Sequence, residues 1–206
     1  MLRPHPITDQ RTATDQPPPA AHHEVAHHEV ALLTAVQRHV ARPRVVSAAR
    51  GLSHFGEHAA GWLALGLLGA LVDRRRRRDW LISAAAVAGA HGTSIAVKRV
   101  VRRHRPIDPS VQVLAGTPSR LSFPSSHATS TTAAAVLYGG LLRRPLIPVL
   151  VPPMLVSRLV LGVHYPSDVL VGSALGAAIG AGVRRCLRSD LKISRLGISR
   201  PGRVQR

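Results

Sequence analysis

The chain has 206 residues, enough for one compact domain with tails, and 45% of them are hydrophobic although only 3% are aromatic. Its formal charge of +18 leaves three kinds of partner open: nucleic acid, an anionic membrane surface, or a phosphate-bearing substrate. A single cysteine, Cys186, excludes an internal disulfide framework, and the N-terminus lacks the apolar segment of a cleavable signal peptide.

The N-terminal segment, residues 1–28, is polar and rich in proline, and this composition predicts disorder. Residues 21–30 contain the sequence Ala-His-His-Glu-Val twice. Histidines four residues apart share a helix face, so metal binding is one interpretation of the repeat, through His22, His23, His27 and His28. The favoured interpretation is a solvated, fraying start of a helix.

Between residues 29 and 187, apolar runs alternate with breaks rich in Arg or Pro, which predicts one helical domain followed by a basic tail, 188–206. Glu29 to Val46 has the spacing of an amphipathic helix that lies on the membrane surface or caps a bundle. Five apolar runs follow, at 59–72, 80–97, 124–142, 145–163 and 169–183. Prolines in the fourth run predict a kink. Glycines four residues apart in the fifth predict close approach of another helix, at Gly172, Gly176 and Gly180.

Five such runs exceed what a soluble protein of this length usually buries, although several are shorter than the roughly 20 residues of a straight span. The favoured fold is therefore all-α, an integral membrane bundle of about five to six helices with the active site at one membrane face. A soluble all-helical core is the alternative. A slight excess of Arg on the side of Arg74–Arg78 predicts that this side is cytoplasmic and that the site faces out of the cell membrane.

Ionisable residues interrupt the apolar runs at three places. Arg158, His164 and Asp168 lie in one of the most apolar parts of the chain, where an ionisable side chain is a functional candidate. If successive runs cross the membrane in alternation, residues 98–105 and 124–127 lie at the same face as these three. The sequence therefore predicts that all three segments form one site.

The cations of this predicted site suit a phosphoryl group. Arg offers planar, bidentate contacts to phosphate oxygens and Lys a compact point charge, which assigns phosphate binding to Lys98, Arg105 and Arg158. Ser125 and Ser126 stand at a predicted helix start, where backbone N–H groups and the positive end of the helix dipole favour an anion. Without a cluster of acidic residues to hold Mg²⁺ or Zn²⁺, we expect no metal and no cofactor.

The remaining groups suit covalent catalysis. His164, oriented by Asp168 four residues later, can attack phosphorus and carry it as a phosphohistidine. His127 can then protonate the leaving oxygen and afterwards activate the water that cleaves the intermediate.

Residues beside these segments have two explanations each. Possible substrate-binding groups are Arg102, which lies one turn after Lys98, and the three residues at the mouth of the site, His54, Glu57 and His58. Arg102 is equally well explained by contact with lipid headgroups, which is the favoured role of Arg99 and Arg103. His91, in the middle of a run, is assigned to packing.

The pattern Lys-x6-Arg-Pro (98–106), Pro-Ser-x-His (124–127) and Ser-Arg-x5-His-x3-Asp (157–168) resembles the three-part signature of the type-2 phosphatidic acid phosphatase and vanadium haloperoxidase superfamily. The resemblance covers about a third of the chain and implies a helical bundle and the site roles given above. One residue departs from the family pattern. Ser126 stands where Gly is common, so an added side chain is expected to narrow the phosphate cradle.

Two further stretches, 116–130 and 53–58, resemble the actinobacterial enzymes that dephosphorylate decaprenylphosphoryl-5-phosphoribose, a precursor of cell-wall arabinan. By this resemblance the partner is a polyprenyl-linked phosphate in the bilayer rather than nucleic acid. An undecaprenyl-diphosphate or phosphatidic acid phosphatase is an alternative in the same class. The alternative of another class is a basic membrane anchor without catalysis, which would not need His127, His164 and Asp168.

Overall fold

The computed structural model describes the backbone of residues 20–195 and the side chains of residues 27–189. This part of the chain contains seven α-helices and no β-strand. The helices are α1 (Ala20–Val40), α2 (Pro43–Gly56), α3 (Ala60–Val72), α4 (Arg77–Val101), α5 (Ser126–Leu142), α6 (Ile147–Val160) and α7 (Pro166–Arg195). Helices α2 and α3 are joined by one 3₁₀ turn, Glu57–Ala59, and form a single broken rod, so six rods result. The predicted all-helical bundle of five to six helices is confirmed.

The predicted helix from Glu29 to Val46 is wrong at both ends. Helix α1 begins earlier, at Ala20, and ends at Val40, and α2 begins at Pro43. Proline lacks the N–H that would continue a helix and disfavours helical backbone in the residue before it, and Arg42 is extended accordingly (φ −85°, ψ 154°).

Helix α1 therefore enters the segment predicted to be disordered. Residues 1–19 lie outside the described part of the chain, as do the side chains of His22 and His23 and the end of the basic tail. The division into segments 1–28, 29–187 and 188–206 stays a prediction.

Three stretches are long and apolar enough to cross a bilayer, namely Pro43–Val72, Arg74–Val101 and Pro166–Ser189, while Ile147–Val160 is a shorter apolar helix. Large apolar side chains on α3 are exposed, among them Leu67, Leu71 and Val72. Such a surface is typical of a helix in contact with lipid rather than water. Helix α6 continues through Pro152 and Pro153, and the predicted kink there stays a prediction.

Helix α5 lies at the centre of the bundle and is buried along nearly its whole length against α4, α6 and α7. Its small side chains let α7 come close. A Cβ at Gly176 would lie 2.2 Å from the carbonyl oxygen of Thr129, and one at Gly172 would lie 2.7 Å from that of Ser125. The predicted close approach along the glycines of α7 is confirmed.

The two ends of the bundle differ in character. At one end the Arg-rich turn before α4 meets the end of α5, where Arg76 donates from Nη1 to the carbonyl oxygen of Leu141 at 2.5 Å. At the other end the last turn of α4, the start of α5 and the turn between α6 and α7 come together. The prediction that the three ionisable segments share one end is confirmed.

Candidate active site

Lys98 lies in the last turn of α4 and ties it to the segment before α5. The residue is 8% exposed, and its ammonium group donates to the carbonyl oxygens of Ser122 (2.9 Å) and Pro124 (2.6 Å). Because a lysine ammonium has three protons, one remains for a group in the adjacent cavity.

Arg105 lies in the loop after α4 and reaches the turn between α6 and α7. Its Nε donates to the carbonyl oxygen of Ser119 (2.8 Å) and its Nη1 to that of Val163 (2.5 Å). Burial lowers the pKa of Arg105 to about 10, so the guanidinium remains charged at neutral pH. The same Nη1 lies 3.3 Å from Nε2 of His164.

His164 is 3% exposed and stands in the turn before α7. A guanidinium N–H can only donate, so the contact with Arg105 assigns Nε2 as the unprotonated nitrogen and Nδ1 as the N–H. Nδ1 lies 3.5 Å from Oδ2 of Asp168, longer than a hydrogen bond, and has no other partner among the described residues. Burial, and then the charges of Arg105, Lys98 and Arg158, lower the pKa of His164 well below its usual value. The imidazole is therefore neutral, with its lone pair on Nε2 facing the guanidinium of Arg105.

His127 lies in the first turn of α5 and faces α2. Its Nε2 is 3.0 Å from the carbonyl oxygen of Ser53. Since a carbonyl oxygen only accepts, Nε2 carries the proton. The ring also fills the space beside Gly56, where a Cβ would lie 2.7 Å from Cδ2 of His127.

Arg158, on α6, is 3% exposed, and its guanidinium is incompletely bonded. Nη1 donates to the hydroxyl of Ser53 (3.2 Å) and Nε to that of Ser157 (3.2 Å). Nη2 is buried and has no partner among the described residues. A buried, unpaired N–H of a charged group is costly, and an anion in the cavity would satisfy it.

These groups surround a cavity of about 600 Å³. Six of the eight predicted catalytic and phosphate-binding residues line it, namely Lys98, Arg105, Ser126, His127, Arg158 and His164, so the predicted cations and imidazoles converge. The predicted mouth residues line it as well: His54, Glu57 and His58. A pocket of this size, with cations and two imidazoles among its walls, can accommodate a phosphorylated small group.

Residues 2–191 match the PAP2 superfamily. The chain belongs to the PAP2 superfamily. It is 59% identical over 154 residues to decaprenylphosphoryl-5-phosphoribose phosphatase of Mycobacterium tuberculosis, a match of 74% of this chain and 87% of that protein. The enzyme of the same name from Mycolicibacterium smegmatis is 58% identical over 145 residues, 70% of this chain and 81% of its own.

Two solved PAP2 structures resemble the fold. A transmembrane PAP2 type phosphatidylglycerolphosphate phosphatase from Bacillus subtilis aligns with a TM-score of 0.65 at 22% identity, covering 87% of this chain and 90% of its own. LpxE from Aquifex aeolicus aligns with a TM-score of 0.61 at 16% identity, covering 76% and 94%. This PAP2 protein is a membrane phosphatase, a phosphoric monoester hydrolase, and the alternatives of a soluble core and a non-catalytic anchor are wrong.

Ser125 differs from its predicted role in this PAP2 site. It is the N-cap of α5, fully buried, and does not line the cavity. Its N–H donates to the carbonyl oxygen of Asp168 (2.9 Å), because the amide of an N-cap points out of the helix and here meets α7. The amides available at the helix start are those of the next two residues, Ser126 and His127, and both residues line the cavity.

Two arginines and a histidine of the PAP2 chain, Arg99, Arg103 and His91, lie elsewhere than expected, and Arg102 was left open between the site and the headgroups. Arg102 is exposed and outside the cavity lining, whereas Arg99 lines the cavity. Arg103 is bonded to Asp168 at 3.0 Å, so its assignment to headgroups is wrong. His91 lines the cavity, and its buried Nδ1 has no partner within the described residues.

Sequence reasoning missed Ser53, which contacts both His127 and Arg158, and Arg50, which lines the cavity. Ser53 belongs to the stretch 53–58 named above, of which only the ionisable residues were considered. Its backbone carbonyl contacts His127 and its hydroxyl contacts Arg158.

Proposed function

We propose that this PAP2 phosphatase cleaves a lipid-linked phosphomonoester through a phosphohistidine on His164, with no metal ion. The observation that supports this most directly is the contact between Arg105 and the unprotonated Nε2 of His164, in a cavity that Lys98 and Arg158 also line. A nucleophile needs a free lone pair beside the electrophile, and cations next to it hold the phosphate in place.

The proposed reaction has two displacements. Nε2 of His164 attacks phosphorus, a P–N bond forms, and the P–O bond to the substrate breaks. The leaving oxygen takes a proton from His127 in its doubly protonated, imidazolium form, which the phosphate anion in the cavity stabilises and which becomes neutral in this step. Water then attacks phosphorus, gives a proton to His127, and the P–N bond breaks. Phosphate and the free imidazole result. Once Nε2 is phosphorylated, the His164 ring is substituted on both nitrogens and is positively charged. Asp168 stabilises this charge through the Nδ1–H.

In the transition state, the cations stabilise the negative charge on the three oxygens that stay bonded to phosphorus. Arg158 has a buried Nη2 that needs an acceptor, Arg105 approaches beside the nucleophile, and Lys98 has a proton to spare. The amides of Ser126 and His127 at the positive end of α5 add neutral donors. Every proposed charge-stabilising group is thus already positioned by bonds to the protein.

For the substrate, we propose the 5-phosphate of decaprenylphosphoryl-5-phosphoribose, in the synthesis of cell-wall arabinan precursors. Relatives of this name share 58–59% identity with the chain. The cavity supports the proposal because it extends beyond the reacting phosphate to Arg50 and Arg99, which suit the second, diester phosphate of such a lipid. His54, Glu57 and His58 suit the hydroxyls of a sugar.

We also propose that the protein resides in the cell membrane with its site outside the cytoplasm. The Arg-rich turn at Arg74–Arg78 lies at the end of the bundle away from the site, and clusters of Arg favour the cytoplasmic side. Labelling of Gly116→Cys, in the loop beside the cavity, by a membrane-impermeant reagent on intact cells tests this orientation, in a Cys186→Ser background that removes the exposed native thiol. Labelling only after permeabilisation would contradict it.

The function is tested with purified protein. Substrate radiolabelled in the phosphoryl group is expected to leave acid-labile label on the wild type and none on His164→Ala, which should also lose turnover. Rates on decaprenylphosphoryl-5-phosphoribose, undecaprenyl diphosphate and phosphatidic acid then identify the substrate. Equal rates on all three would overturn the finer assignment, and full activity of His164→Ala would overturn the mechanism.

A further inference from the structure

Asp168 is 0% exposed, and most of its bonds are not to His164. One oxygen, Oδ2, accepts the backbone N–H of Tyr165 at 2.8 Å, and Oδ1 accepts Nη1 of Arg103 at 3.0 Å. A buried carboxylate stays ionised only when it is paired and hydrogen-bonded. Arg103 therefore supplies the charge that balances Asp168 in the structure, while His164 remains neutral.

Arg103 is itself held from three sides. The same Nη1 donates to the hydroxyl of Ser167 at 2.6 Å, Nη2 donates to Oε2 of Glu29, and the guanidinium lies 4.1 Å from the centre of the Tyr165 ring. A guanidinium with its donors committed and its face stacked has one orientation rather than many. The position of Oδ1 of Asp168 is fixed accordingly.

Glu29 comes from α1, far from the catalytic segments in sequence. Besides the bond to Arg103, its Oε1 accepts the backbone N–H of Ser167 at 2.9 Å, in the first turn of α7. That N–H has no partner within its own helix, and a carboxylate at a helix N-terminus also complements the dipole. Glu29 thus holds both the helix that carries Asp168 and the arginine that pairs with it.

We propose that Arg103 and Glu29 are positioning residues for catalysis, which act through Asp168 on His164. The chain of contacts runs Glu29, Arg103, Asp168, His164, so helix α1 is part of the catalytic apparatus although none of its described side chains lines the cavity. Arg103 keeps Asp168 ionised and aims Oδ2 at Nδ1 of His164. Glu29 also binds Arg103 and so shares its positive charge, which weakens the attraction between Arg103 and Asp168. The carboxylate of Asp168 therefore remains available to the imidazole of His164.

This inference rests on the proposed roles of His164 and Asp168, and it predicts a change in the chemical step rather than in substrate binding. Arg103→Gln is expected to lower kcat about tenfold or more, the order found when the partner that orients a catalytic ligand is removed. KM should change less than about twofold because Arg103 does not line the cavity. Glu29→Gln, which keeps the shape, should lower kcat by a smaller factor, and Arg103→Lys should recover part of the activity.

The decisive experiment is a double-mutant cycle with Asp168→Asn. If Arg103 acts through Asp168, Arg103→Gln has almost no further effect on kcat in the Asp168→Asn background. Arg120→Gln and His28→Gln, which change exposed residues on neighbouring segments, serve as matched controls and should keep wild-type kcat. Active-site titration by the burst of phosphoenzyme corrects for any loss of folded protein.

Each outcome has one meaning. A kcat within twofold of wild type for both Arg103→Gln and Glu29→Gln, with His164→Ala inactive, would overturn the inference and leave the proposed function intact. Additive losses in the cycle would also overturn it, because they would show that Arg103 acts independently of Asp168. Activity of His164→Ala would instead overturn the function itself. If Arg103→Gln does not fold, Glu29→Gln in the same cycle provides the test.

Discussion

The hydroxyl of Ser126 lies 2.7 Å from the hydroxyl of Ser94 on α4, and Ser94 is 2.6 Å from the carbonyl oxygen of His91. The side chain that replaces the family's common glycine is therefore hydrogen-bonded to a neighbouring helix. Its backbone N–H lies in the first turn of α5, where it has no acceptor within the helix, and the residue lines the cavity.

Replacement of Ser126 by glycine tests whether this hydroxyl matters for catalysis. We expect kcat/KM within about threefold of wild type, because the backbone amide is retained. The variant should be less stable by about 1 kcal/mol, from greater backbone freedom and a lost hydrogen bond. Steady-state kinetics and thermal unfolding in detergent measure the two effects, with Ser126→Ala as the control for the hydroxyl alone. A tenfold loss in both variants would mean that the hydroxyl contacts substrate.

Gly56 is expected to be indispensable for the position of His127. In Gly56→Ala the new Cβ would lie 2.7 Å from Cδ2 of His127 and 3.1 Å from Cε of Met154, so the ring must move. We expect kcat to fall at least about tenfold, since His127 would lose its proton-transfer geometry.

Gly51→Ala, on the same helix, is the matched control because its Cβ meets no atom within 4 Å. It should keep full activity and gain about 0.5–1 kcal/mol in helix stability. Similar kinetics for the two variants would contradict the assignment of His127.

The pH profile should report a nucleophile that stays neutral. The pKa of His164 is lowered in the folded protein by burial and neighbouring cations, so the imidazole remains unprotonated as the pH falls through its ordinary value of about 6.5. The rate of phosphoenzyme formation, corrected for substrate ionisation by ³¹P NMR, should not fall between about pH 7 and 6, because the nucleophile stays unprotonated. A fall in this rate around pH 6.5 that persists when each of the other cavity histidines is replaced would contradict the prediction.

The lowered pKa of His164 should also make the folded protein less stable as the pH falls. Below about pH 6.5 the unfolded chain binds a proton at residue 164 that the folded chain does not, so stability falls as the pH is lowered. His164→Gln removes this contribution. Thermal unfolding midpoints at pH 7.5 and 5.5 should therefore differ less in the variant than in the wild type, and an equal difference would contradict the prediction.

The arginines at the cavity mouth should affect substrate choice. Arg50→Gln and Arg99→Gln are expected to raise KM several-fold for a substrate with a second phosphate, because each guanidinium offers a charge-assisted bond. KM for a lipid with a single phosphomonoester should change little. Arg44→Gln, exposed on α2, is the control for surface charge. Equal changes in KM for both substrates would contradict the placement of these two arginines at the second phosphate.

The sequence was sufficient to predict the helical bundle and the convergence of Lys98, Arg105, His127 and His164, because ionisable residues in apolar runs are costly unless they share a site. The break at Pro43 was also predictable from proline chemistry and was overlooked. The pairing of Glu29 with Arg103 was not predictable, since it joins segments that no local periodicity relates. The part played by Ser53 depends on a backbone carbonyl, which every residue type has.

The glycines of α7 determine how accurately the carboxylate of Asp168 is placed. Gly172 stands one turn after Asp168, and a Cβ there would meet the carbonyl oxygen of Ser125, whose own N–H bonds back to Asp168. A methyl group at this point would wedge the two rods apart and tilt the carboxylate away from its imidazole. The placement of the carboxylate beside its imidazole thus depends on a contact between two backbones, at a point where no side chain is present to absorb a shift.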